Sequence, residues 1–215
     1  MEKKTQKARG RTRVFSRAAG SQLPRKQTWP PGTLLSPAPA VMVTCAAADG
    51  RPNIVTVAWT GTICSDPPML SVSLRPATFS HGLIKKSMEF VVNIPSVKEI
   101  RAMDLCGAVS GRDVDKFAKT GLTAGAASKV RAPIIQECPV NIECRVRRVE
   151  ELGSHTMFLA EIVAVQVTEG LITKGGRLAL EKAGLAAYAH GHYYALGKQM
   201  GHFGFSVRKR ATKRR

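Results

Sequence analysis

Acidic residues are scarce in this chain. Its 215 residues include 15 Asp and Glu against 33 Lys and Arg, a formal net charge of +18. The imbalance sits at the ends. Lys3, Lys4, Lys7, Arg9, Arg11, Arg13, Arg17, Arg25 and Lys26 crowd the start beside a single acid, Glu2. Arg208, Lys209, Arg210, Lys213, Arg214 and Arg215 crowd the finish, leaving about +4 for everything between. The body is therefore a mildly basic domain with two basic tails. The tails have little apolar surface to bury, so disorder is expected over 1–33 and 207–215. They suit nonspecific contact with anions, nucleic acid or an anionic membrane, and the Arg-rich, acid-poor start also has the composition of a transit peptide.

Other gaps exclude whole classes. No apolar run approaches the roughly 18 residues that cross a bilayer, and no secretory apolar segment opens the chain. The five cysteines (Cys45, Cys64, Cys106, Cys138, Cys144) are odd in number and form no CxxC, which disfavours a disulfide framework and a structural zinc site. Buried thiols in a reducing cytoplasm are expected instead. His190 and His192 stand two apart, but the sequence places no third metal ligand beside them. There is no GxSxG elbow for a Ser-His-Asp hydrolase and no GxGxxG for a dinucleotide-binding fold.

What remains is 44 % apolar, enough for one full core over residues 34–206. "VMVTCAAADGRPNIVTVAWTGTI" reads as strand, turn at Asp49-Gly50, strand. "SDPPM" is a turn, "LSVSL" a strand, "TFSHGLIKKS" a short helix and "EFVVNIP" an apolar strand. "SVKEIRAMDLCGAV" has helical spacing, with Ser96 and Glu99 as a capping box. A Gly-rich connection follows, with one helical turn predicted over 113–119. Period-two alternation then marks "VNIECRV" as a strand and breaks at Arg147-Arg148, which predicts a bulge. "MFLAEIVAVQV" is apolar on nearly both faces, so a second cover is expected, most naturally a partner subunit. "GRLALEKAG" reads as a short helix before "LAAYAHGHYYALGK" closes the domain. Many antiparallel strands with short inserted helices predict a mainly β fold, a small Greek-key barrel.

Two stretches carry chemistry. In Ala58, Trp59, Thr60, Gly61 and Thr62, a large aromatic stands beside residues that offer hydroxyls and accessible backbone, a suitable wall for a flat ligand. "SLRPATFSHG" gathers Arg75, Thr78, Ser80 and His81 about a helix start, where phosphate is favoured.

Taken in order, "NIVTVAWTGTICSDPPMLSVSLRPATFSHGLI", "FVVNIP", "SGRDVDKF", "LGSHTMFLAEIVAV" and "YYALGK" resemble the flavin reductase-like family, its flavoredoxin branch in particular, over roughly residues 34–205. The resemblance implies an FMN-binding split β-barrel, usually a homodimer. It implies that Asn53 and Trp59 lie by the flavin, with Ala58 and the Thr60–Thr62 backbone along its ring edge. It assigns Arg75, Thr78, Ser80 and His81 to the phosphate end, and Asn93 of "NIP" to the cofactor site. Lys116 and His155 become the candidate catalytic groups, either able to place positive charge near the ring, and Tyr188 and Tyr193 candidate aromatic covers. The implied activity is hydride transfer from NADH or NADPH to flavin, then electron delivery to free flavin, a protein partner or a small oxidant. Two other readings stand beside it: a carrier with permanently bound FMN, and a non-enzymatic dimer whose tails hold nucleic acid.

Overall fold

The computed structural model describes residues 23–207. Residues 23–33 have no regular secondary structure, and the outer parts of both basic tails lie outside the described residues. After β1 (Ala38–Pro39), the alternation around Asp49-Gly50 folds β2 (Val41–Ala46) against β3 (Pro52–Val57). Gly50 turns the corner at φ +85°, a conformation glycine adopts without penalty, and its N–H donates to Ala47 O at 3.0 Å.

The long second strand of the sequence reading is in fact two. The chain bends at Ala58-Trp59 and resumes as β4 (Thr60–Ser65), which turns through Asp66-Pro67 into β5 (Pro68–Leu74). Helix α1 (Phe79–Ser87) leads to β6 (Glu89–Ile94). The Ser96/Glu99 capping box forms as expected, on a 3-10 turn (Val97–Glu99) that runs into α2 (Ile100–Ala108). Helix α3 (Lys116–Thr120) begins later than the 113–119 expectation because Asp115 is its cap, accepting from Ala118 N at 3.1 Å. Two short strands, β7 (Ala124–Gly125) and β8 (Ile134–Ile135), pair with each other. The long hairpin β9 (Val140–Glu151) and β10 (Thr156–Val167) follows, and β11 (Ala186–Ala189) and β12 (His192–Ala195) form a small sheet with β1. The expected helix in "GRLALEKAG" is only a 3-10 turn (Leu180–Lys182), too short a stretch between glycines to propagate.

The main sheet has seven strands in the order β3-β2-β6-β9-β10-β5-β4, all neighbours antiparallel. Its two edges, β3 and β4, are separated in the chain by only Ala58 and Trp59. The three chain steps from Val57 to Thr60 reach no farther than about 11 Å. The sheet must therefore curl until its edges nearly meet, which makes a barrel with a split. The expected bulge appears where Leu159 pairs with Arg148 and Ala160 with Val146, so Arg147 is the extra residue. A second irregularity leaves Val163 unpaired on β10. Both add bend to the longest hairpin.

One apolar cluster fills the barrel, with Val43, Val72, Phe90 and Phe158 fully enclosed. Each such side chain contributes about 1.5–3 kcal/mol of burial. A second cluster lies on the other side of β2 and β3, where Met42 and Ile54 meet Met103, Cys106 and Phe117 from the helices. β2 is thus covered on both faces. Cys45, Cys106, Cys138 and Cys144 are buried free thiols, and Cys64 is half-buried. No helix among the described residues is long and apolar enough to cross a membrane.

One carboxylate lies wholly inside. Glu143 on β9 accepts from Ser128 N, Ser128 Oγ, Lys129 N and Gln166 Nε2, at distances of 2.6–3.0 Å. Burial alone would raise its pKa, but the hydrogen bonds from Gln166, Ser128 and Lys129 outweigh burial and hold it below the ordinary 4.5. Because the folded value is the lower one, the stabilisation is complete above the ordinary glutamate range and is lost as pH falls through the folded value. Glu143→Gln is expected to cost about 2 kcal/mol at neutral pH, read by urea unfolding. The gap between wild type and variant should close as pH drops below 4.5.

Candidate functional site

The split opens a cleft of about 560 Å³. Its floor is the edge backbone of β3 and the bend, Val55 to Trp59; one wall is Ser73, Leu74 and Arg75 from the end of β5. The opposite wall comes from α2 (Asp104, Gly107, Ala108) and from Tyr188 and Tyr193. A second cleft of about 280 Å³ adjoins it, sharing Val55, Arg75, Thr78, Gly107 and Ala108. It extends between the start of α1 (Phe79, Ser80) and the Ser110–Arg112 loop. Together they form one groove with an aromatic end and a cationic end. Volumes of this order suit a small organic ligand, ordinarily held in about 300–1,000 Å³.

At the aromatic end, Trp59 packs on His155 with ring centroids 4.4 Å apart and planes tilted by 33°. Trp59 remains 46 % exposed, so the indole is available to a ligand face. The His155 pKa is lowered by burial and then by the Arg75 guanidinium, which leaves the imidazole neutral near pH 7. The tyrosines pair with centroids 5.6 Å apart, and Tyr193 donates to Asp104 Oδ1 at 3.1 Å, fixing the β11–β12 hairpin to α2. Burial, followed by the Asp104 hydrogen bond, pushes the Tyr193 hydroxyl up to about 12.

At the cationic end, Arg75 and Arg112 both line the groove. The Thr78 side chain does not cap α1; its hydroxyl donates instead to Arg75 O at 2.9 Å. The first N–H groups of α1 therefore keep their affinity for an anion. Asn53 donates to Ser80 Oγ at 2.7 Å beneath this end. A β-carbon on Gly111 would stand 1.9 Å from Asn53 Oδ1, so glycine is what lets the Ser110–Arg112 loop lie on Asn53.

The groove thus gathers Asn53, Ala58, Trp59, Arg75, Thr78, Ser80, Lys116, His155, Tyr188 and Tyr193. It does not gather the rest of the sequence candidates. Thr60, Gly61 and Thr62 belong to β4 and pair with β5, because the chain bends before them and presents Val55–Trp59 instead. His81 turns into the barrel, 3.0 Å from Thr156 Oγ1 and edge-on to Phe158. Burial, then the Lys85 charge, lowers its pKa. Asn93 is a structural amide. It donates to Met42 O and Thr44 Oγ1 and accepts from Ile135 N and Asn141 Nδ2. Lys116 is 4 % exposed, and its ammonium donates to Ile54 O and Cys106 O, both at 2.7 Å. Burial lowers its pKa, and its geometry ties β3 to α2. Sequence reasoning missed Asp104, Ser110, Gly111 and Arg112. The signal was present in "SGR", a small-residue turn with a cation, but only the fold shows that it faces α1.

Two measurements check this geometry. Gly111→Ala forces the loop off Asn53 and is expected to lower stability by about 1–3 kcal/mol in thermal unfolding. NMR titration should find the His155 pKa below 6.5, and Arg75→Ala should move it upward by removing the neighbouring positive charge; an unmoved value would contradict that coupling.

Comparison with known proteins places this groove in context. Residues 34–197 match the family described as the flavin reductase like domain. The fold superposes on flavoredoxin of Desulfovibrio vulgaris (Miyazaki F) with a TM-score of 0.80 and 34 % identity, covering 86 % of this chain and all of that one. It superposes on an FMN-binding protein from Thermus thermophilus with a TM-score of 0.68 and 26 % identity, covering 85 % and 99 %. The chain is also 31 % identical over 133 residues to the reductase component of a 4-nitrophenol 4-monooxygenase/4-nitrocatechol 2-monooxygenase from Rhodococcus opacus, covering 62 % of this chain and 68 % of the relative. The chain is a split-barrel member of the flavin reductase-like family.

Proposed function

We propose that this protein binds FMN in the groove at the barrel split and acts as a flavin-dependent oxidoreductase. It takes a hydride from NADH or NADPH and passes electrons to free flavin, a protein or a small oxidant. The observation that carries this reading is the order of chemistry along one groove. An aromatic and backbone end, Val55–Trp59 with Tyr188, runs into a cationic end, Arg75 and Arg112 with the open start of α1. A flat heteroaromatic ring joined by a polar chain to a phosphate fits that order. The relatives point the same way, since one is a monooxygenase reductase component and another an FMN-binding protein.

FMN, when bound, supplies the two-electron redox chemistry. The chain's own residues bind and orient it. The β3 edge residues, Val55 to Val57, would offer backbone donors and acceptors to the ring's polar rim, and the Trp59 indole would pack on it. Arg75 is the permanent cation between the two ends, suited to opposing negative charge that develops on the ring. Lys116 is less suited to that part, because its ammonium is committed to two carbonyls. Neutral His155 can donate or accept a hydrogen bond but brings no charge near pH 7. Half-exposed Trp59 leaves this end of the groove open to solvent, the side from which a nicotinamide would approach.

A second reading, an electron carrier that keeps its FMN, is favoured by the similarity to flavoredoxin, which extends over all of that chain. Either form is proposed to work as a homodimer, because the outer face of β10 leaves Val165 53 % exposed among other half-buried apolar residues. The purified protein is expected to be yellow or to turn yellow with added FMN. Without oxygen, NADH or NADPH should then bleach the absorbance of the reductase within turnovers, whereas a carrier would bleach only with a protein donor. No co-elution of FMN, with unchanged Trp fluorescence on its addition, would defeat both readings.

A further inference from the structure

Phe79, the first residue of α1, meets two guanidinium groups. The Arg112 Cζ stands 5.6 Å from its ring centroid and the Arg51 Cζ 5.5 Å. Guanidinium groups favour this position because the face of an aromatic ring is negative. Only one of the two arginines, Arg112, lines the groove; Arg51 belongs to the β2–β3 turn and does not.

Arg112 is held at several points at once. Its Nη1 donates to Ala77 O at 3.1 Å, and its backbone N donates to Ser110 Oγ at 3.2 Å. Gly111 beside it lies against Asn53, and Asn53 is buried and bonded to Ser80. An exposed arginine ordinarily samples many rotamers, and fixing it costs entropy when a ligand binds. Here the ring of Phe79 and the carbonyl of Ala77 fix it beforehand, with most of its five N–H donors left for a ligand. A planar fork of donors next to open helix N–H groups matches a phosphate dianion better than a neutral hydroxymethyl group.

We infer that Phe79 is a positioning residue which, by holding Arg112 at the cationic end of the groove, makes the protein select phosphorylated flavin over unphosphorylated flavin. The inference rests on the proposed FMN-binding reading and adds to it the residue that sets the choice between FMN and riboflavin.

The test measures dissociation constants of the full-length protein for FMN and for riboflavin by flavin fluorescence. Wild type is expected to bind FMN more tightly. Arg112→Ala should collapse the ratio toward one, and Phe79→Leu should weaken FMN by about tenfold while leaving riboflavin within about twofold. Phe79→Tyr, which keeps the aromatic face, should restore the ratio. Arg51→Ala should leave it within about twofold, because that cation is outside the groove. If Phe79→Leu weakened both flavins equally, or neither, the positioning role would fail. If Arg51→Ala lowered the ratio as much as Arg112→Ala, general charge rather than placement would explain the choice. Wild type binding both flavins equally would overturn the inference while sparing the flavin-binding reading; binding neither would overturn both.

Discussion

The two-residue link between opposite sheet edges is the constraint on which everything else depends. β3 and β4 sit at the two ends of a seven-stranded sheet, yet only Ala58 and Trp59 join them. A flat sheet would set such edges about 29 Å apart, at roughly 4.8 Å per strand spacing. The link therefore forces curvature, and the bulge at Arg147 in the longest hairpin accommodates part of it. The seam cannot close into a full ladder because the bend occupies it. A groove lined by strand-edge backbone is the direct consequence, and the bend places a tryptophan at its mouth.

The walls of that groove are held by buried polar groups rather than by packing alone. Thr56 Oγ1 donates to Met103 O, and the Lys116 ammonium bridges Ile54 O and Cys106 O. These bonds lay α2 across the β3 edge, where Gly107 allows close approach: a β-carbon there would stand 3.2 Å from the Thr56 Cβ. The backbone groups of β3 that face away from β2 are thereby partly satisfied by the helix layer. The ammonium of Lys116, a groove-lining residue, is thus engaged by two backbone carbonyls that join β3 to α2.

Much of the fold was legible because strands with one buried face declare themselves. The alternation in "VNIECRV" and its break at Arg147-Arg148 gave both the strand and its bulge, and the Ser96/Glu99 spacing gave the capping box. The division of "NIVTVAWTGTI" was not legible, since no glycine or proline marks Ala58-Trp59; the bend comes from tertiary closure. Site residues divided on the same principle. Trp59, Arg75 and Thr78, singled out in the sequence for their residue chemistry, all line the groove. Asn93 and His81 are polar residues in strand and helix whose partners, Asn141 and Thr156, lie 48 and 75 positions away. Nothing local separates a buried structural amide from a ligand-binding one. Arg112 is not marked by its local sequence for the converse reason: its contacts are with Phe79 and Ala77, far off in the chain and adjacent in space.

A crystal structure of the protein with FMN tests the central claim most directly. The expected density has the ring system along Val55–Trp59 beside the Trp59 indole, and the phosphate between Arg75, Arg112 and the first turn of α1. Density for the ring elsewhere on the barrel, or a phosphate turned away from both arginines toward solvent, would contradict it.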